Sequence, residues 1–231
     1  MNYDIGIIAA MDEELDGLAD MLEQISEKEL LGIRFRYGRM FGKNVVIAKC
    51  GVGKVFAAAC ASAMILNFAP RLLVNTGVAG GLRSGIGVCD TVVAEKLCQH
   101  DMDTSPIGDP KGLISGINKI YFETDKRASE IVFNAAKKLG IVCHSGTIAS
   151  GDQFVATKEQ KSRIIELFGA SACEMEGAAI AQTAFMGNTP VAVIRAISDG
   201  ADEGSSMDYM KFLPIAAKSS LALVTALIKE Y

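Results

Sequence analysis

Short apolar runs alternate with amphipathic stretches along the chain, at strand and helix spacing. Tyr3–Ala10 reads as a buried strand. Met11-Asp12-Glu13-Glu14-Leu15 then predicts a helix to about Ile25, with acids in the first turn, where the helix dipole favours them. Ile33–Gly38 alternates like a strand with one wet face. Asn44–Lys49 follows across the Phe41–Asn44 turn, so the two predict a hairpin. Gly51-Val52-Gly53-Lys54 leads into a helix over Val55–Phe68, broken by Pro70. Arg71–Asn75 predicts a buried strand. Residues 76–82 after it are rich in glycine and can approach a ligand or another strand closely.

The pattern continues through strand Thr91–Cys98, helix Asp125–Leu139 and strand Ile141–Ala149. Thr157–Leu167 is a helix with a capping-box pair, Thr157 and Gln160. Ser171–Cys173 is a short strand, Gly177–Phe185 a small-residue helix, Pro190–Ile197 the last strand and Asp208–Lys229 a closing helix. Gln99–Asn118 lacks periodicity, and a loop that long is usually functional or disordered. The expected fold is one α/β domain over residues 1–231. It is a three-layer α/β/α arrangement on a mixed, largely parallel central sheet.

Composition narrows the function. A net charge of −4 argues against nucleic acid or an anionic membrane as the main partner. No apolar run reaches the roughly 18 residues of a bilayer span. The six cysteines form no C-x-x-C pair and lie mostly in apolar runs, so they read as reduced thiols of a cytoplasmic protein. With only His100 and His144, no metal site is expected, and no motif asks for a cofactor.

The candidate chemistry sits where strands end: Glu14, Phe154, the pair Glu174 and Glu176, and Asp199. An acid at the end of a buried strand needs a reason, because an unpaired buried carboxylate is costly. One reason is structural pairing of Glu174 or Glu176 with Arg195. The other is acid/base work around an aromatic, as in glycosidic cleavage. The Gly51–Lys54 loop could hold an anion at a helix N-terminus, but it fits neither the P-loop nor the G-x-G-x-x-G spacing. Tight strand-to-helix packing explains it equally well.

Six stretches, GIIAAMDEEL (6–15), CGVGKV (50–55), NTGVAGGL (75–82), SGDQFV (150–155), CEMEGAAIA (173–181) and VIRAISDGAD (193–202), carry a resemblance. In this order they resemble the 5′-methylthioadenosine/S-adenosylhomocysteine nucleosidase family of the nucleoside phosphorylase-like superfamily, over essentially the whole length. The resemblance implies hydrolysis of the N-glycosidic bond of those nucleosides, in methionine salvage, with no cofactor. It casts Asp199 as the acid that protonates adenine N7, which requires it to hold or share a proton, with Ser198 orienting the transfer. Glu14 would polarise the attacking water, and Glu176 would bind the ribose hydroxyls. Met175 would pack under the ribose, Phe154 would stack on adenine, and the Val155 backbone would read the base edge. Glu174 and Arg195 would support the water and ribose. Met11, Val52 and Tyr209 would line the apolar side near the 5′-alkylthio group.

The resemblance also implies a homodimer in which the loop around Ile107 contacts the neighbouring active site. Val78 stands where many relatives have a serine, and Ile107 where many have an aromatic. A phosphorylase on the same fold would need cations around phosphate, whereas Asp12, Glu13 and Glu14 make this first loop acidic. Hydrolysis is therefore preferred to phosphorolysis. An aminofutalosine-type hydrolase, which differs only in the 5′-group, is the closer alternative, and a non-catalytic nucleoside-binding protein is disfavoured because Glu14 and Asp199 are both present.

Overall fold

In the computed structural model, which describes residues 3–15 and 17–231, the apolar runs become strands. They are β1 (Ile5–Ala9), β2 (Glu23–Leu30), β3 (Ile33–Met40), β4 (Lys43–Lys49), β5 (Leu72–Gly81), β6 (Thr91–Gln99), β7 (Phe122–Glu123), β8 (Cys143–Ser150), β9 (Ala170–Glu174) and β10 (Val191–Asp199). The helices are α1 (Lys54–Phe68), α2 (Lys126–Leu139), α3 (Lys158–Phe168), α4 (Gly177–Met186) and α5 (Ser205–Glu230).

β1 is buried at every position because it runs parallel between β4 and β5 with a helical layer over each face. From β5 the sheet turns back on itself. β5 pairs in parallel with β10, β10 antiparallel with β6, β6 in parallel with β8, β8 in parallel with β9, and β9 antiparallel with β5. These strands form a closed circuit, and β4, β3 and β2 extend from β1 as an open wing. The sheet is mixed, as expected.

One apolar core joins the sheet to α1 and α4, and a second joins it to α2 and α5. Asp125 and Thr157 cap α2 and α3 through their side chains, the latter with the predicted partner Gln160. By length and composition α5 is apolar enough to cross a bilayer, which corrects the expectation that no segment is. In the fold its Leu223, Val224, Leu227 and Ile228 are buried in the second core.

Three local expectations are corrected. The helix from Met11 to about Ile25 does not form. Residues 12–15 make a tight turn, Ala19–Met21 a single 3-10 turn, and the chain has entered β2 by Glu23; Asp16 lies outside the described residues. The cause is Glu14, whose carboxylate accepts the N–H groups of Ala10 (2.9 Å) and Met11 (3.0 Å) and folds the turn back on the end of β1. Gly17 follows at φ +91°, which no helix continues. β2 was not foreseen. It is exposed along most of its length and carries Glu23, Glu27, Lys28 and Glu29, a charged edge that resists pairing with another chain. The glycines after Asn75 do not leave the strand, because β5 continues through Gly81.

At the open wing Phe68 meets Tyr3, Phe35 and Tyr37 with ring centroids 5.3–5.4 Å apart. Phe68→Ala is expected to lower the unfolding free energy by about 3–5 kcal/mol, as for other buried aromatic truncations. Urea unfolding of the two proteins measures it, and a loss well under about 1 kcal/mol would show that the cluster contributes little.

Candidate active site

The site lies where β1, β8, β9 and β10 end beside the middle of β5. Pairing along β10 sets Arg195 opposite Gly77 and Asp199 opposite Gly80, with a register shift between Ile197 and Asp199. Neighbouring strand residues ordinarily face opposite ways, and a bulge re-aims one of them. Ser198 and Asp199 therefore both face one cleft. Every residue that the resemblance places around the substrate within one chain lines it: Met11 and Glu14 after β1, Val52 after β4, Phe154 and Val155 after β8, Glu174, Met175 and Glu176 at the end of β9, Arg195, Ser198 and Asp199 on β10, and Tyr209 on α5; Ile107 does not. Counted out to open solvent at its mouth, the cleft holds about 740 Å³.

Its floor is a buried charge cluster. The Arg195 side chain is 1 % exposed. Its Nη2 donates to Glu174, to Asn75 Oδ1 (2.6 Å) and more distantly to Glu176 Oε2 (3.4 Å), and its Nη1 donates to the Val78 carbonyl (3.2 Å). Glu174 Oε2 accepts the N–H groups of Glu176 (3.0 Å) and Gly177 (2.8 Å) at the start of α4, where the helix dipole favours an anion. Its Oε1 accepts from Ser150 Oγ, which accepts in turn from the Ala178 N–H (2.7 Å). Both Glu174 oxygens are thus engaged by the protein, which is the structural pairing considered from the sequence.

Glu176 is less fully held. Its Oε1 accepts the Gly53 N–H (2.8 Å), and only the long Arg195 contact serves Oε2. Burial pushes its pKa up to about 7; Arg195 pulls it down and Glu174 pushes it up. The Gly51–Lys54 loop does bind anions, and they are the protein's own. Gly53 at φ +100° holds Glu176, and the Lys54 N–H holds Asp152 Oδ1 (2.8 Å).

Glu14 is 3 % exposed and accepts N–H groups with both oxygens, Oε1 from Val78 (3.0 Å) and Oε2 from Ala10 and Met11. Burial raises its pKa despite Arg195 and these three donors. Gly77 is a steric requirement, since a Cβ there would collide with the Arg195 guanidinium and the Glu14 carboxylate. Val78 contributes its N–H to Glu14.

On the opposite side Asp199 Oδ2 accepts from Ser198 Oγ (2.8 Å) and Oδ1 from the Ala201 N–H (2.9 Å). Phe154 stands half-exposed at the mouth, edge-on to Tyr209 with centroids 5.7 Å apart. The Tyr209 hydroxyl reaches Met11 Sδ (3.2 Å), tying α5 to the turn after β1. Sequence reasoning did not single out Asn75, Ser150, Gln153 or Cys173. Asn75 had a signal, an amide inside the apolar run of β5, where it is fully buried. Among the described residues no group of three or more His, Cys, Asp or Glu could hold a metal ion.

The family model described as the phosphorylase superfamily matches residues 4–229. A 5′-methylthioadenosine/S-adenosylhomocysteine nucleosidase of Oceanobacillus iheyensis is 36 % identical over 227 residues, covering 98 % of this chain and 99 % of that one. An aminodeoxyfutalosine nucleosidase of Campylobacter jejuni is 34 % identical over 226 residues, covering 98 % of each. The crystal structure of the Neisseria meningitidis 5′-methylthioadenosine/S-adenosylhomocysteine nucleosidase in complex with methylthio-immucillin-A superposes with a TM-score of 0.95 at 35 % identity, covering 99 % of this chain and all of that one. Family, sequence and fold thus agree from end to end, and the chain belongs to the phosphorylase superfamily.

Proposed function

We propose that the protein hydrolyses the N-glycosidic bond of 5′-methylthioadenosine and S-adenosylhomocysteine, releasing adenine and the 5-thio-substituted ribose. The observation that carries hydrolysis over phosphorolysis is the charge of the cleft. Among the described residues that line it, Arg195 is the one Lys or Arg, it is already engaged by Glu174 and Glu176, and Glu14 stands beside it. A phosphate nucleophile would meet carboxylates; water would meet a base. The names carried by the close relatives support the same substrates.

In this reading Glu14 takes a proton from water as its oxygen bonds to C1′. The C1′–N9 bond breaks, and its electron pair leaves with adenine, which receives a proton at N7 from Asp199. Ser198, hydrogen-bonded to Asp199, orients that carboxyl. Glu176 binds the ribose hydroxyls and, once ionised, offsets the positive charge that grows on the sugar. Phe154 and Val155 hold the base, Met175 the ribose, and Met11, Val52 and Tyr209 the 5′-substituent. Glu174 fixes Arg195 and the start of α4 rather than touching substrate.

Ile107 is 81 % exposed on the Ser105–Ile107 turn, and Val55 and Leu66 on α1 are 81 % and 83 % exposed. Apolar side chains this open favour burial against a second copy. We infer a homodimer in which the Ile107 loop closes the neighbour's cleft, in a reducing cytoplasm that suits six free thiols.

Adenine release from methylthioadenosine is expected to be unaffected by phosphate, and strict phosphate dependence would overturn hydrolysis. Asp199→Asn should lower kcat by about 10²–10⁴-fold, the usual share of general acid catalysis, while nucleoside binding persists; near-normal turnover would remove Asp199 from the acid role. Aminodeoxyfutalosine belongs in the same assay, because a relative of similar identity bears that name. Sedimentation at micromolar concentration should give the mass of two chains; a monomer would contradict the dimer.

A further inference from the structure

α1 begins with a cation, which the dipole at a helix N-terminus disfavours. Lys54 is nonetheless drawn inward, its side chain 18 % exposed. Its Nζ donates to Asp101 Oδ1 (2.6 Å) and to Gln99 Oε1 (2.9 Å), and Gln99 Nε2 donates onward to Gln182 of α4 (2.6 Å). The other oxygen of Asp101 accepts the Asp152 N–H (2.9 Å), and Asp152 Oδ1 accepts the backbone N–H of Lys54. The contacts close a ring that runs from Lys54 side chain to Asp101, to Asp152 and back to the Lys54 backbone.

This ring grips the segment that follows β8. Asp152 is two residues before Phe154 and three before Val155. Gly151 is pinned from below, since a Cβ there would strike the His100 ring. At the other end of the ring, Gly53 precedes Lys54 and its N–H holds Glu176. One residue pair therefore spans the base side and the sugar side of the cleft. Burial opposes the Asp101 charge, but the Lys54 ammonium and the Asp152 N–H outweigh it and hold Asp101 below its ordinary value.

We propose that Lys54, acting through Asp101, is a positioning residue that clamps the 151–155 loop to the start of α1 and so presets the distance between the adenine-binding and ribose-binding groups. The inference rests on the nucleosidase reading of the cleft. The clamp serves substrate and transition state alike, so it governs binding more than the chemical step. A role confined to stability would reduce the folded fraction and leave the affinity of each folded molecule unchanged.

The test is steady-state kinetics with methylthioadenosine and calorimetric titration with adenine, on Lys54→Met, Asp101→Asn, the double variant and Lys54→Arg, each first checked for folding by circular dichroism. Lys54→Met and Asp101→Asn should each raise KM and the adenine Kd about tenfold, the size of one lost charge-assisted hydrogen bond. kcat should fall less than KM rises. The double variant should be no weaker than the worse single, and Lys54→Arg should recover most of the affinity. Unchanged KM and adenine Kd in the folded single variants, or effects that multiply in the double, would overturn the clamp. If Lys54→Met does not fold, Asp101→Asn, which keeps the side-chain volume, decides alone. If the wild type releases no adenine, the nucleosidase reading fails, and adenine titration still judges the clamp.

Discussion

The structure depends on keeping a guanidinium and three carboxylates out of water at the centre of an apolar fold. Arg195 is almost wholly buried, and Glu14, Glu174 and Glu176 are each less than a tenth exposed. Removing one member of such a buried set typically costs about 3–5 kcal/mol, a large share of the about 5–15 kcal/mol that holds a domain together. Each charge must therefore be met from a different part of the chain: Asn75 and the Val78 carbonyl on β5, the N-terminus of α4, the N-terminus of α1 and the end of β1. The closed circuit of β5, β10, β6, β8 and β9, with β1 alongside, brings those parts together. Gly77 leaves room for the charges over the strand.

The same constraint makes the site chemically unequal. Glu174 uses both oxygens on the protein and behaves as a fixed counter-ion for Arg195. Glu176 is held by one backbone donor and one long cation contact, so burial dominates and pushes its pKa up to about 7. Glu14 is also raised by burial, although three N–H groups and Arg195 oppose it. Two acids that flank one methionine thus take different roles because their donors differ. The bulge at Ser198 adds a further carboxylate, Asp199, across the cleft from both.

Much of this was legible in the sequence where one local rule governs. Apolar runs located the core strands, and Thr157 with Gln160 announced α3. Motif order located every lining residue that was sought. Local rules failed where a distant contact decides. Met11–Leu15 carries helix-like acids, yet Glu14 is bent back toward Val78, 64 residues away. β2 has no apolar face to betray it, because only its pairing with β3 makes it a strand. The Gly51–Lys54 loop looked like a ligand cradle or a packing turn, and its partners Glu176 and Asp152 lie about a hundred residues on. Ser150 reads as an ordinary polar residue until Glu174 is set beside it, and the buried amide of Asn75 finds its reason only in Arg195.

The central claim is that burial within this charge cluster leaves Glu176 protonated at mildly acidic pH and ionised above neutrality, the form that the proposed mechanism sets against the sugar. The most direct measurement is a carbon-detected NMR titration of glutamate carboxyls in the ligand-free protein, with Glu176→Gln to assign the signal. The structure predicts one carboxyl titrating at about 7 that vanishes in Glu176→Gln. Loss of only a signal titrating in the ordinary carboxylate range, near 4.3, would contradict it.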